Sequence, residues 1–322
     1  MSQSSLLNDT NELQVISSPT VSVIVPAYNH EEYITDCIQS ILKQDYPYLD
    51  LIVINDGSTD KTDLRIKELL KNNPSRLRYV TKENEGLIKT LNLGLKLAQG
   101  EFFCELASDD MLLPGSIRNR VSYLEKNPDI DVVFADAYIL EGKTRTTVRA
   151  SEGKTRFSSS KHTVVDLLKG NARILFPSGM FRKSSLEKLS GFDEDFRYYE
   201  DVAIMYKLAL DSRIGYLDEP VMYYRKHWTN ISSSNKVLVR REKILAFEKL
   251  LSLNKADVGL TKYFLYREYI KFIKFSIRNN VAKEDVLNVY TKSKKIRTFT
   301  VKNHLYMALS RLVNTIWGNE TI

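Results

Sequence analysis

The stretch VSVIVPAYNHEEYITDCIQSIL, residues 21–42, decides how the chain is read. VSVIV is a short apolar run rich in β-branched residues and is stopped by Pro26, the signature of a buried strand. EEYITDCIQSIL then sets Tyr33, Ile34, Cys37, Ile38, Ile41 and Leu42 at helical spacing. The same alternation continues outward. LDLIVINDGS (49–58) is a second buried strand ending in a turn, LRIKELLKN (64–72) a helix, and LRYVT (77–81) a third strand. GLIKTLNLGLKLA (86–98) is a helix stopped by Gly100, and EFFCELAS (101–108) a fourth strand running into Asp109 and Asp110. SIRNRVSYLEKN (116–127) and IDVVFADAYIL (130–140) read as a further helix and strand. Strands that alternate with helices imply parallel pairing through crossovers, an α/β doubly wound sheet.

In such sheets ligands lie beyond the carboxyl ends of the strands. Polar residues gather at those ends: Asn29 and Glu31 after the first strand, Asp56 after the second, Asp109 and Asp110 after the fourth. Upstream, residues 1–19 are polar, end in Pro19 and read as a loose tail. Residues 141–162 have no clean apolar period and read as a basic loop or weak hairpin. From Lys236 onward the texture is helical, with IKFIKFSI and HLYMALSRLVNTIW carrying apolar residues on alternating turns.

Composition bounds the function. A chain of 322 residues with 43% hydrophobic and 27% charged residues is of ordinary globular make-up and long enough for a large core. No run of about 18 apolar residues suggests a spanning helix, and the N-terminus lacks the basic and apolar regions of a secretory signal. Cys37 and Cys104 are the only cysteines, too few for a disulfide framework or metal cluster, so a reduced, cytoplasmic setting is expected. Charge is uneven. Residues 235–322 carry 18 Lys and Arg against 7 Asp and Glu, a net of +11, which leaves the first 234 residues at −4. Such asymmetry fits either a module that meets an anionic surface, membrane or nucleic acid, or a solvated helical face.

Five constellations carry the chemistry: PAYNHEEYI (26–34), NDGSTD (55–60), NEGLIKTLNLGLKLAQGEF (84–102), ASDD (107–110) and YYEDVAIMYKLAL (198–210). Their order and spacing resemble the family 2 glycosyltransferases with their GT-A nucleotide-sugar fold, of the bacterial surface-polysaccharide type, over about residues 20–230. The resemblance implies a GT-A domain at 20–232 with a basic helical C-terminal region at 233–322. It also implies a hexose moved with inversion from a nucleotide sugar, UDP-hexose first and dTDP-rhamnose second. The implied acceptor is a lipid-linked saccharide or oligosaccharide in O-antigen, capsule or lipopolysaccharide core synthesis.

The same resemblance distributes the roles. Pro26, Ala27, Tyr28, Asn29 and Glu31 match the first nucleotide-contacting loop, and Asp56 the carboxylate that accepts a hydrogen bond from the base. Asp110 matches the direct ligand of Mg²⁺ or Mn²⁺, hard cations that choose oxygen, with Asp109 turned to the ribose or the metal's waters. Asp201 matches the general base, oriented by Glu200; an acid pair opening a helix is equally well explained by the helix dipole. Ser178 and Gly179 match the acceptor wall, Arg225 a neutraliser of the leaving diphosphate, and His227 a metal or phosphate contact. Two departures stand out. Ala107 occupies a position where a further acid is common, and Leu91 precedes Asn92 where an arginine is common, leaving Lys89 as the substitute diphosphate contact.

Other classes fit less well. A sugar-nucleotide nucleotidyltransferase needs a glycine-rich triphosphate loop, and VIVPAYNHEEY has no glycine. A nucleic-acid binder would not place acids at three strand ends. A non-catalytic nucleotide-sugar-binding subunit of an assembly complex remains as the alternative. Homo-oligomerisation is left open, and the apolar stripe of 301–317 is read as meeting either the inner membrane face or protein.

Overall fold

A computed structural model describes residues 19–141, 144–149, 167–169, 175–226, 235–279 and 281–296. The expected tail at 1–18, His227, and the stripe at 301–317 lie outside the described residues.

The alternation in the sequence folds as read. Strands β1 (Val21–Ala27), β2 (Leu49–Asp56), β3 (Leu77–Lys82) and β4 (Phe102–Glu105) are joined by helices α1 (Ile34–Leu42), α2 (Thr62–Asn72) and α3 (Leu87–Leu97). Next come β5 (Met111–Leu112), α4 (Ser116–Lys126), β6 (Val132–Glu141) and β7 (Thr144–Arg149). A 3-10 turn at Phe176–Ser178, β8 (Met180–Arg182) and α5 (Lys183–Lys188) precede α6 (Glu200–Asp211) and β9 (Ile214–Lys226). The C-terminal helices are α7 (Lys236–Ser252), α8 (Val258–Arg278) and α9 (Lys283–Lys295).

The sheet runs β3-β2-β1-β4-β8-β6-β9-β5, with β7 paired to β6. Pairs β3·β2, β2·β1, β1·β4 and β6·β9 are parallel, whereas β8, β5 and β7 pair antiparallel to their neighbours. The sheet is thus mixed but dominated by its parallel strands. The antiparallel pairing of β7 with β6 resolves the first part of the 141–162 segment as a hairpin. Strand β1 lies between β2 and β4, and the order reverses there. At that reversal the crossover helices leave on opposite faces and open a crevice beyond the strand ends.

The alternation of β1 divides the core. Val21, Val23 and Val25 face α1, α2 and α4, while Ile24 faces α3. Contact with α3 is close because position 94 is glycine; a Cβ built there would collide with the Ile24 side chain. The second face is unusual for what closes it. Ile244, Phe247 and Leu250 of α7 and Phe264, Tyr269 and Phe272 of α8 share one cluster with Ile24, Leu91, Phe134 and Leu208. Fully burying a side chain of this size stabilises by roughly 1.5–3 kcal/mol, so α7 and α8 of the C-terminal helical extension share the core of the sheet. Their N-termini are capped by side chains: Asn235 accepts the Leu238 amide at 3.1 Å and Asp257 the Leu260 amide at 2.9 Å.

Candidate active site

Strand β2 ends on Asp56, which is 4% exposed and stands in register with Lys82 at the end of β3. The Asp56 carboxylate accepts the amides of Glu85 at 3.0 Å and Gly86 at 2.9 Å, and pairs with the Lys82 ammonium. Burial pushes its pKa up, but the Lys82 bond and the two amides outweigh burial and hold it below the usual carboxylate value. It is therefore an acceptor only, and Oδ2 carries a single amide bond from Gly86. Gly57 turns the chain with φ +71°, where a Cβ would lie 2.7 Å from the Asn84 amide nitrogen.

The loop after β1 is tied to the loop after β2. Asn29 adopts φ 53°; its amide donates to Ser58 Oγ at 3.0 Å and its Oδ1 accepts the Thr59 amide at 2.8 Å. Glu31 donates its amide to Asp60 at 3.0 Å and accepts the Lys61 amide at 2.9 Å. Pro26 and Ala27 are buried in the strand, and Tyr28 is 45% exposed. Asn29 and Glu31 thus build the rim as well as bordering it.

Between β4 and β5 the chain delivers Asp109 and Asp110, both buried. Asp110 Oδ1 accepts the Arg225 amide at 2.7 Å, and the Asp109 carbonyl accepts Arg225 Nε at 2.7 Å. The Arg225 guanidinium lies 4.6 Å over the Tyr33 ring. Asp110 Oδ2 is buried without a hydrogen-bond partner among the described residues. Burial first, then Asp109, pushes the Asp110 carboxyl well above its ordinary range. An orphaned carboxylate oxygen beside a second acid fits a cation ligand. Among the described residues no three His, Cys, Asp or Glu side chains form a metal-binding group, so the protein side offers few ligands. Upstream in β4, Glu105 is raised to about 8 by burial and then by the Asp201 charge.

Glu200 and Asp201 open α6, whose N-cap residue Tyr199 gives no side-chain cap. The loop leading into the helix is held from α7: Glu242 Oε2 accepts the amides of Arg197 at 3.0 Å, Tyr198 at 2.7 Å and Tyr199 at 2.9 Å. Asp201 Oδ1 accepts the Val202 amide at 2.6 Å, and burial raises its pKa. Glu200 is raised to about 8 by burial and then by Asp201, and its Oε2 is buried without a hydrogen-bond partner among the described residues. Asp201 faces a cavity of about 610 Å³ between the 3-10 turn, α6 and the C-terminal helices α7 and α8.

Four of the expected contact residues are engaged by the fold itself. Ser178 and Gly179 stand behind the cavity wall, which their neighbours Phe176 and Pro177 form. Ser178 Oγ donates to the Ala135 carbonyl at 2.8 Å and is fully buried, while Arg120 Nη1 donates to the Ser178 and Gly179 carbonyls at 3.1 and 3.3 Å. Asn92 spends its amide on the Phe192 backbone, at 2.9 and 2.8 Å, and anchors the loop before α6. Lys89 is exposed and pairs at 3.2 Å with Glu85, which lies just before its helix. Sequence reading missed Lys82, Glu105 and Glu242. Only Lys82 left a signal, as the cation at the end of a strand parallel to the one ending in Asp56.

Comparison with known proteins agrees with this geometry. Residues 22–190 match the model of glycosyl transferase family 2. An uncharacterized glycosyltransferase of Rickettsia typhi is 28% identical over 309 residues, 92% of this chain and 94% of that protein. The minor teichoic acid biosynthesis protein GgaB of Bacillus subtilis is 30% identical over 210 residues, 63% of this chain but 23% of GgaB. Among solved structures, S. aureus TarS 1–349 in complex with UDP-GlcNAc superposes with a TM-score of 0.66 at 24% identity, covering 86% of this chain and 81% of that 1–349 chain. The mannosyltransferase PcManGT from Pyrobaculum calidifontis, in complex with GDP-Man and Mn²⁺, gives 0.57 at 19% identity, covering 95% and 89%. The chain belongs to glycosyl transferase family 2 and has the GT-A fold. It is a glycosyltransferase.

Proposed function

We propose that the protein moves a hexose from a nucleotide sugar, UDP-hexose first and dTDP-rhamnose second, to a lipid-linked or oligosaccharide acceptor in surface polysaccharide synthesis, with inversion at the anomeric carbon. The observation that carries this reading is Asp201, a buried acid facing an open cavity of about 610 Å³, within electrostatic reach of Glu105 in β4. Ionised Asp56 accepts the ring N–H of uracil or thymine through Oδ2, a donor that these bases carry and cytosine lacks at that position. The β1 and β2 loops, cross-tied through Asn29 and Glu31, hold the nucleoside pocket in shape before substrate arrives.

Asp110, with Asp109, would hold Mg²⁺ or Mn²⁺, and His227 is a further ligand by resemblance. When bound, the cation neutralises the diphosphate that leaves. Arg225, braced by Tyr33 and by the Asp109 carbonyl, adds fixed positive charge on the same side. Asp201 takes the proton of the acceptor hydroxyl as its oxygen attacks. Its raised pKa makes it a stronger base than a solvated aspartate. Glu200, protonated near neutrality, keeps a second negative charge from forming beside it. Without a second nucleophile on this path the displacement is single, so an α-linked donor gives a β-linked product.

No helix among the described residues is long and apolar enough to cross a membrane. The basic last turn of α9, with Lys292, Lys294 and Lys295, supports a peripheral position on an anionic inner membrane face. The test of the function is a donor screen read by nucleotide release with Mn²⁺ and a membrane lipid extract as acceptor. Release from a UDP- or dTDP-sugar that depends on the extract supports the reading. Release that ignores the extract for every donor removes the acceptor assignment.

A further inference from the structure

The cavity at Asp201 carries more positive charge than a neutral saccharide needs. Its floor is apolar and aromatic, with Phe176, Met205, Tyr206, Phe247 and Phe264. Lys169, Lys243, Arg267 and Lys271 also line it, against the acids Asp201 and Glu268. Glu268 is 8% exposed and takes two cations at once, Lys271 at 2.7 Å and Lys243 at 3.3 Å. One carboxylate between two ammonium groups leaves a positive excess. Arg267 adds to it: its guanidinium lies 5.7 and 5.6 Å over the Tyr263 and Phe264 rings, and it has no acid partner among the described residues. A guanidinium stacked on rings presents its N–H fork with little further loss of freedom.

The diphosphate of the donor does not account for these cations. Asp110 and Arg225, where that diphosphate is expected, are not among the residues that line this cavity. Like charges gathered in a partly enclosed space repel one another unless an anion joins them. Resting on the transferase reading above, we propose that the acceptor bound here carries a phosphate ester close to the hydroxyl that reacts at Asp201, with Arg267, Lys243 and Lys271 meeting the phosphate. The apolar floor then covers the carbon chain or ring faces between phosphate and hydroxyl. Two kinds of molecule share this chemistry, a polyol phosphate chain and a saccharide on a lipid diphosphate.

Calorimetry on the full chain with Mn²⁺ tests the assignment with three probes: a short glycerol phosphate oligomer, an uncharged glycerol oligomer of the same length, and an isoprenoid diphosphate in neutral detergent micelles. The expected result is at least tenfold tighter binding of one phosphate probe than of the uncharged one. Whichever phosphate probe binds tighter identifies the source as polymer or lipid. Double charge reversal, Arg267→Glu with Lys271→Glu, is expected to weaken that probe at least tenfold, and a UDP titration of the same sample reports the donor side separately. Equal binding of charged and uncharged probes overturns the proposal. So does a parallel loss of UDP affinity in the reversed variant, which would give the cations to the donor. If the wild type binds no UDP, the donor reading fails by itself, and the comparison of probes still decides the phosphate site.

Discussion

Glu242 on α7 reaches across to the amide of Tyr198 with one carboxylate oxygen at 2.7 Å, and the same oxygen takes the two neighbouring amides. The loop that leads into the helix presenting Glu200 and Asp201 is thereby tied to the C-terminal region. Glu242→Ala strands three amides at the head of that helix. Hydrogen bonds to a charged group are worth about 1.5–3 kcal/mol each net, so a loss of about 2 kcal/mol or more is expected. Turnover should fall about tenfold with the donor KM little changed, because the loop holds the acids and not the nucleotide. Glu242→Gln, which keeps an accepting oxygen, should recover part of the rate. Steady-state kinetics of the two variants checks the order.

Stability should depend on pH in an unusual direction. Glu105 and Glu200 are both raised from 4.5 to about 8. Between these values the unfolded chain has lost the two protons while the folded chain keeps them. The folded state then binds more protons, so stability falls as pH rises from about 5 to 8. Thermal melts across that window should show a decline, and Glu105→Gln should flatten it. A rise in melting temperature over the same range would contradict the assignment.

Gly94 lets α3 lie against β1 at Ile24. Gly94→Val should destabilise by about 1–3 kcal/mol through overpacking, read as a lower denaturant midpoint with unchanged slope.

Asp110 should be the protein's link to the cation. Asp110→Asn should lose the part of donor affinity that Mn²⁺ confers while leaving UDP binding without metal nearly as it was. Titration of UDP with and without Mn²⁺ measures this; an undiminished Mn²⁺ effect would move the ligand role elsewhere.

How much the sequence disclosed follows from the range of the forces involved. Asp56, Asp109 and Asp110 were legible because each closes an apolar run, and a strand's end is a local signal. The strands β1 to β4 and their helices were legible for the same reason. Strands β5 and β8, two and three residues long, have no period to read, and their antiparallel pairing emerges only from the assembled sheet. Ser178 was expected at the acceptor wall from the family resemblance, and that its hydroxyl donates to the Ala135 carbonyl could not be read from the sequence. Glu242 gave no signal, because an acid in KVLVRREKILAFEKLLS looks like any exposed charge until the partner loop from residues 197–199 is beside it. Contacts across more than forty residues carry no sequence period.

The most direct measurement compares wild type with Asp201→Asn for nucleotide release from the donor found in the screen, beside donor affinity measured by calorimetry. The account predicts a fall of about 10²-fold or more in turnover with donor affinity within about twofold, since a general base acts in the transition state. Near-normal turnover in the variant, or a loss of donor binding that matches the loss of rate, would contradict it.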